Sequence, residues 1–562
     1  MSDLILDHPA VGTVVPAAGK SSNTALSVTA WIDCEARAEA LQVVAGQWRI
    51  HDSFDRFSAV DVANIDGLDT RGYYGAVFDG RYVYFVQEQQ PQGQHGIALR
   101  YDTHREFSSA AFEAFDASRI DGLDTRGYYG GTFDGRYVYF TPRLADGLMH
   151  SRSLRFDTTH EFADAAAWAA FDVGIEQTGQ GAAFDGRYVY YCPGYRPRDD
   201  DADSRSGRVI RCDTCAEFRQ RDTYEVFDAE TIDGLNIGNF DGGAFDGRYV
   251  YFVPLTNSVC LRYDTEADYD DPANWQAFDA APSGMGSCVG AVYDGRYLYY
   301  VPYANGVVAR FDTTAEFRDP SAWSGMDCAR TNGLDTRGFD GGFFDGRYVY
   351  FVPFVNEGGH FHANWLRYDP LLPFEDAASW LAVERSVTDG LNSYGYNGGA
   401  FDGRFFYTAP WRRTMGEPGD RETWDIHGCV LRYDTTGADA TFSLRATDYG
   451  HNGGLCAAVP GPSFLVNTEE GVRSVAAHRA LTSGRHHLAG VFDGTSISLY
   501  VDGTCVATRP ASGRIQMCDI PIAVGHMENG LGMLRGNIER LRVTARALTA
   551  AEIEEDLRTP QP

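Results

Sequence analysis

The sequence predicts an all-β protein, a seven-bladed β-propeller that interrupts a smaller β-sandwich whose two halves lie at the chain's ends. Three observations carry that reading. One phrase recurs seven times, as AVFDGRYVYFV, GTFDGRYVYFT, AAFDGRYVYYC, GAFDGRYVYFV, AVYDGRYLYYV, GFFDGRYVYFV and GAFDGRFFYTA. Its aspartates, Asp79, Asp134, Asp185, Asp246, Asp294, Asp345 and Asp402, stand 48 to 61 residues apart, which suits one propeller blade with variable loops. The 32 Tyr, 34 Phe and 62 Gly in 562 residues suit strands broken by tight turns and leave little room for helix.

Each copy reads as strand, Asp-Gly turn, strand, because Asp-Gly accepts the positive φ of a tight hairpin and the flanking residues alternate. The aspartates are therefore expected to build turns rather than to catalyse. A third strand follows in the phrase LRYDT, which ends at Asp102, Asp157, Asp213, Asp264, Asp312, Asp369 and Asp434 with an Arg two positions earlier each time. That Arg is expected to brace neighbouring strands. Outer strands follow as FEAFDA, WAAFDV, YEVFDA, WQAFDA, WSGMDC and WLAVER, while FSAVDV at residues 57–62 precedes the first copy. The offset predicts that the N-terminal segment supplies the outer strand of the last blade and closes the ring.

The phrase before each inner strand is DGLDTRGYYG at residues 66–75 and 121–130, with looser versions at 233–242, 332–341 and 389–398. It is expected to line one mouth of the channel. The ligand-binding candidates there are Asp69, Arg71, Tyr73, Asp124, Arg126, Tyr128, Glu176, Asn236, Asp335, Arg337, Asn392 and Tyr394. Trp411 and Arg412, from a long loop of the seventh blade, join them. Arg grips a carboxylate or a sugar hydroxyl, and an aromatic ring covers an apolar sugar face. The histidines of HFH, His360 and His362, and the acidic run at 199–203 read as ordinary loop polarity.

Outside the repeat, LSVTAWIDCEARAEALQVVAGQW at 26–48 reads as two strands, and further alternating segments with Gly turns follow the seventh blade. ALTAAEIEEDL reads as a short terminal helix with a Thr cap. On LSVTAWI, GRHHLAGVFDGTSISLYVDG at 484–503 and GNIERLRVTARALTAAEI at 536–553, the chain resembles the laminin-G-like, concanavalin-type jelly-roll family. The resemblance implies a twisted sandwich that binds glycans or proteins, with little implication of chemistry. It gives three segments: 1–50 and 441–562 as the halves of the sandwich, and 51–440 as the inserted propeller. His486 and His487 read as structural in that family pattern, as do the turn residues Asp493 and Asp502. No cofactor is expected; calcium held by oxygen ligands in the sandwich is left open, without EF-hand spacing.

The formal net charge of -30 repels polyanions and argues against nucleic acid as a partner. No apolar run reaches the length of a membrane span, so membrane insertion is not expected. The first residues carry no basic leader, which reads as cytoplasmic. Eleven scattered cysteines do not make a disulfide scaffold, although Cys505 and Cys518 flank a hairpin and are candidates to pair. The function expected is recognition of a glycan or glycoconjugate through the propeller mouth, possible help from the sandwich included. A peptide partner, a glycoside hydrolase or lyase or modified-peptide enzyme using mouth carboxylates, and a protein-interaction scaffold are the alternatives. Oligomerisation is not legible.

Overall fold

The computed structural model describes residues 4–16, 24–35, 41–197, 204–303, 305–356, 358–414, 424–448, 461–477, 479–527 and 532–558. Seven four-stranded antiparallel sheets form the blades of the propeller. Their inner strands are Tyr73–Phe78, Tyr128–Phe133, Gly179–Phe184, Phe240–Phe245, Cys288–Tyr293, Phe339–Phe344 and Tyr396–Phe401. The seventh blade takes its outer strand from the start of the chain. Phe57–Asp61 pairs antiparallel with Cys429–Asp434, from Cys429 opposite Asp61 to Tyr433 opposite Phe57.

The repeated residues solve the same local problem in every blade. Asp79 Oδ1 accepts the backbone N–H groups of Arg81 and Tyr82 at 2.7 Å, and its Oδ2 accepts the Tyr84 hydroxyl at 3.0 Å. One carboxylate thus satisfies the hairpin's free donors and ties the turn to its second strand. Arg81 then forks onto Asp102 of the third strand, at 3.1 and 2.7 Å. Arg100, from the third strand, lies flat over Tyr82 at 3.9 Å and over Phe162 of the next blade at 4.6 Å. The last such contact, Arg432 over Phe107 at 4.3 Å, joins blade seven to blade one. The bracing expected of this arginine is therefore found, as a cation–π bridge between adjacent blades.

Asp246 tests this account. It accepts Arg248 N at 2.8 Å, Tyr249 N at 2.7 Å and the Tyr251 hydroxyl at 2.7 Å, and burial pushes its carboxyl pKa upward. Asp246→Ala is expected to lower the unfolding free energy by about 3 kcal/mol, because buried donors lose their acceptor. Asp246→Asn, which keeps the acceptor and removes a buried charge, is expected to cost about 1 kcal/mol. Urea denaturation of both variants measures the difference; equal losses would contradict the hydrogen-bonding role.

Two six-stranded sheets make the sandwich, and each contains strands from both ends of the chain. Leu26–Cys34 lies between Gly536–Thr544 and Gly484–Phe492 in one sheet; Leu41–Trp48 lies between Ile522–Val524 and Ala440–Asp448 in the other. Their facing sides enclose a core that includes Val28, Ile32, Phe442, Phe464, Leu499 and Leu541. The terminal helix, Ala550–Arg558, starts with a reciprocal cap: Glu552 N donates to Thr549 Oγ1 and Thr549 N to Glu552 Oε2. Asp556 on that helix accepts Thr29 Oγ1 at 2.7 Å and sits 3.2 Å from His487 Nε2, while His486 Nδ1 meets Asp502 at 2.8 Å. Asp493 receives Thr495 N and Ser496 N at 2.8 and 2.6 Å. These are the structural roles read for both histidines and both aspartates.

Cys505 and Cys518 are not bonded to each other. Cys505 is exposed on an edge strand, whereas Cys518 is buried with its sulfur 3.1 Å from Thr441 Oγ1.

The sandwich docks on the face of the propeller that carries the Asp-Gly turns. Leu41, Val43, Leu465, Val472 and Met527 share a buried cluster with Phe343, Tyr348, Phe401 and Phe406. Polar contacts flank it: Arg404 Nη1 donates to Asn467 at 2.8 Å, and Arg509 Nη1 stands 3.5 Å from Asp79. The opposite face of the propeller is left open by the sandwich, which therefore does not line that mouth.

Candidate functional site

The open mouth is built by two sets of residues that the blade repeat varies while holding their neighbours constant. The first is the second residue of each inner strand: Tyr74, Tyr129, Gln180, Asp241, Val289, Asp340 and Asn397. A glycine follows each, with φ between 58° and 86°, and the strand register shifts there in every blade whose pairing is regular on both sides. Such a bulge re-aims the preceding side chain, here toward the propeller axis. The second set follows the second strand of each blade: Glu88, Arg143, Gly194, Leu255, Tyr303, Phe354 and Trp411.

Contacts across the axis show that these residues meet. The Tyr74 hydroxyl of blade one donates to Asp340 Oδ2 of blade six at 2.9 Å. The Tyr129 hydroxyl of blade two donates to Asp241 Oδ2 of blade four at 2.6 Å, and Gln180 Nε2 joins it at 2.9 Å. The two tyrosine rings stack with centroids 3.5 Å apart. Burial pushes both carboxyl pKa values upward, and for Asp340 the nearby Asp241 charge adds to the effect.

Glu88 links the charged and aromatic parts of the mouth. It accepts Arg143 Nη1 at 3.1 Å and Trp411 Nε1 at 3.0 Å. Arg143 lies over Tyr129 at 4.5 Å, and Arg412 lies over Trp411 at 3.4 Å. Burial pushes the Arg412 guanidinium down to about 10, with Glu88 pulling the other way. Tyr303, Phe354, Trp411 and Tyr74 form a continuous aromatic arc, with successive centroids 6.4, 5.6 and 5.1 Å apart, and Phe361 packs edge-on against Phe354 at 5.1 Å. Tyr303 and Phe361 are only half-buried.

Of the residues predicted from sequence, Trp411 and Arg412 reach this axial site. The DTRG phrases do not, because the Asp-Gly hairpin before each one folds outward. Asp66, Asp121, Asp233, Asn332 and Asp389 adopt φ of 50° to 55° at those hairpins. Their side chains accept the backbone N–H of Ala114, Ala170, Ala277, Ala382 and Ala59, all on outer strands. Within the phrase, Asp69 and Arg71 pair with each other through two bonds of 2.7 Å. Asp124 and Arg126 do the same at 2.8 and 2.7 Å, with Asp146 as a further partner, and Asp335 and Arg337 at 2.8 and 2.9 Å.

Tyr73 and Tyr128 are 0% exposed and pack against His95 and His150. Neither presents a ring face at the mouth. Glu176 and Asn236 are exposed, on blades three and four. Asn392 and Tyr394 border a shallow cleft of about 490 Å³ that also includes His360 and His362. His362 donates from Nε2 to Gly338 O at 2.8 Å, a structural contact repeated in other blades. The acidic run at 199–203 lies outside the described residues.

The family model Laminin_G_3, described as the concanavalin A-like lectin/glucanases superfamily, matches residues 431–554. The sandwich is a laminin-G-like domain. The match begins within the third strand of blade seven, Cys429–Asp434, and the N-terminal strands of the laminin-G-like domain are the ones that complete both sheets. Among solved structures, the Cps50 (Swd1) β-propeller domain of Myceliophteria thermophila aligns at 8% identity and TM-score 0.40, over 66% of this chain and 99% of that one. Dihydro-heme d1 dehydrogenase NirN aligns at 15% identity and TM-score 0.37, over 68% and 74%. A nidogen/laminin complex aligns at 12% identity and TM-score 0.30, over 51% and 94%. No curated protein matches the chain. A laminin-G-like domain carried with a closed propeller supports a binding or scaffold role. No helix among the described residues is long and apolar enough to cross a membrane.

Proposed function

We propose that the protein binds a glycan or glycoconjugate at the open propeller mouth. The observation that carries this reading is the half-buried pair Tyr303 and Phe361, backed by the buried rings of Phe354 and Trp411, beside Arg143 and Arg412, on the face not covered by the laminin-G-like domain. A sugar ring has apolar C–H faces that stack on aromatic surface and equatorial hydroxyls that bond to charged groups. The guanidinium groups suit a carboxylate or sulfate substituent on such a ring. The overall negative charge does not prevent this, because charges beyond about 10 Å are largely screened in ordinary salt.

Retention on an array of neutral and acidic glycans at physiological salt tests the proposal. Tyr303→Ala is expected to weaken binding at least tenfold, since it removes half-buried stacking surface while leaving the Glu88 pairs intact. Arg126→Gln, at the outward-folded phrase, is expected to leave affinity unchanged. Absence of retention across the array would favour a protein-interaction scaffold, and release of shortened product from a retained glycan would favour an enzyme.

A further inference from the structure

We propose that the propeller axis holds a hard divalent cation of the calcium class, ligated by Asp241, Asp340 and Asn397. These three residues occupy the same register position in the inner strands of blades four, six and seven, each followed by a bulge glycine. They are 2%, 0% and 0% exposed. The hydrogen bonds made to the two carboxylates all fall on one oxygen: Tyr129 and Gln180 on Asp241 Oδ2, and Tyr74 on Asp340 Oδ2. The Oδ1 atoms of both aspartates and both polar atoms of Asn397 are buried without a hydrogen-bond partner.

Four unpartnered buried polar atoms at one register of three inner strands, in blades four, six and seven, call for an explanation. A cation supplies one for the three oxygens among them. Two carboxylates match a divalent charge, and the amide oxygen of Asn397 completes an all-oxygen donor set. The arginines nearby are already engaged, Arg143 with Glu88 and Arg412 over the Trp411 ring. Calcium fits this set better than magnesium. It accepts neutral amide oxygens and irregular geometry, whereas magnesium demands a compact octahedron and keeps most of its waters.

The site differs from any calcium site in the laminin-G-like domain, and the test separates the two. The full chain, stripped with a chelator and exchanged into metal-free buffer, is titrated with calcium chloride and, separately, with magnesium chloride by calorimetry. Terbium is then added as a luminescent substitute. Tyr74 and Tyr129 bond directly to the ligating carboxylates, so excitation of tyrosine is expected to sensitise terbium emission.

One equivalent of calcium, bound more tightly than magnesium, is the expected result. Asp340→Asn is expected to weaken affinity at least a hundredfold, and Asn397→Asp to strengthen it about tenfold by adding a third carboxylate. Should Asp340→Asn not fold, Asn397→Asp alone still reads the site. Asp493→Asn, in the sandwich, is expected to have no effect. Absence of stoichiometric binding at millimolar calcium would overturn the proposal, as would binding that follows Asp493 or is indifferent to Asn397→Asp.

Discussion

Removal of residues 1–61 is expected to abolish cooperative unfolding of both the propeller and the laminin-G-like domain. The segment is short, but it contains five strands with partners far along the chain, of which three decide this result. Leu26–Cys34 is hydrogen-bonded on both sides, to Gly484–Phe492 and Gly536–Thr544, and its loss splits one sheet of the sandwich. Leu41–Trp48 does the same for the other sheet, between Ala440–Asp448 and Ile522–Val524. Phe57–Asp61 closes the ring, and without it the third strand of blade seven becomes an exposed edge.

A second truncation, removing residues 1–50 only, separates these effects. The ring-closing strand survives there, so a propeller transition is expected to persist at reduced temperature. The reduction arises because Leu41, Val43 and Trp48 pack in the same buried cluster as Phe343, Tyr348 and Phe406. Differential scanning calorimetry and limited proteolysis distinguish the two variants. If the longer truncation melted like the intact chain, closure by the N-terminal strand would be wrong.

Much of this architecture was legible because the repeat spells it out in fixed spacing. Asp79 and its six counterparts could be read as turn residues from Asp-Gly alone, and the displaced FSAVDV strand forecast the closure of blade seven. The candidate site was harder to read, for two physical reasons. A strand's alternation assigns residues to faces only while the period of two holds, and the bulges at Gly75 and its counterparts break it just after the axial residue. Tyr73 and Tyr74 therefore have opposite fates, the first in the packing of its blade and the second across the axis to Asp340.

The second reason is that DTRG offers charge and aromatics in a loop, which resembles a site more than it resembles a joint. Its carboxylates and guanidinium groups are at the right spacing to pair with each other, as Asp69 and Arg71 do. A better signal was present in the columns where seven otherwise similar phrases disagree. The residue after the second strand runs Glu, Arg, Gly, Leu, Tyr, Phe, Trp around the ring, and a scaffold has no need for such variety. Trp411 and Arg412, which stand out in the sequence only by composition, are the two candidates that lie at the axis.

Acid stability is expected to depend on four histidines that stand at one position of the repeat. At the start of the third strand, blades one, two, six and seven carry His95, His150, His362 and His427. Each donates from Nε2 to a carbonyl of the preceding loop, at 2.8 to 3.1 Å, and accepts a backbone N–H at Nδ1, at 3.2 to 3.3 Å. Blades four and five use Asn257 and Asn305 for both bonds: Oδ1 accepts the N–H of Val259 or Val307, and Nδ2 donates to Asn236 O or Gly284 O. An asparagine cannot gain a proton in this range. A histidine accepting at Nδ1 must lose that bond when it does.

Burial lowers the pKa of His95, His150 and His427 from 6.5 to about 4, and lowers that of His362 as well. The charges facing them do not reverse this: Asp69 and Asp116 near His95, Arg152, Asp124 and Asp172 near His150, Arg413 and Asp425 near His427, and Asp335 near His362. Between pH 6.5 and 4 the unfolded chain binds protons at these sites and the folded chain does not. Stability is therefore full above pH 6.5, falls as the pH drops, and has lost the whole contribution below about pH 4. Each of the three valued histidines contributes about 3 kcal/mol to that loss. Replacing all four with Asn is expected to lower stability at pH 7.5, because the rings leave contacts with Tyr73, Tyr128, Phe339 and Tyr396, yet to flatten the decline toward pH 4.5. Urea midpoints measured across that range decide the matter. A decline as steep as that of the unmodified chain would assign the acid sensitivity to other groups, of which half-buried His104, held to about 3, is the first to examine.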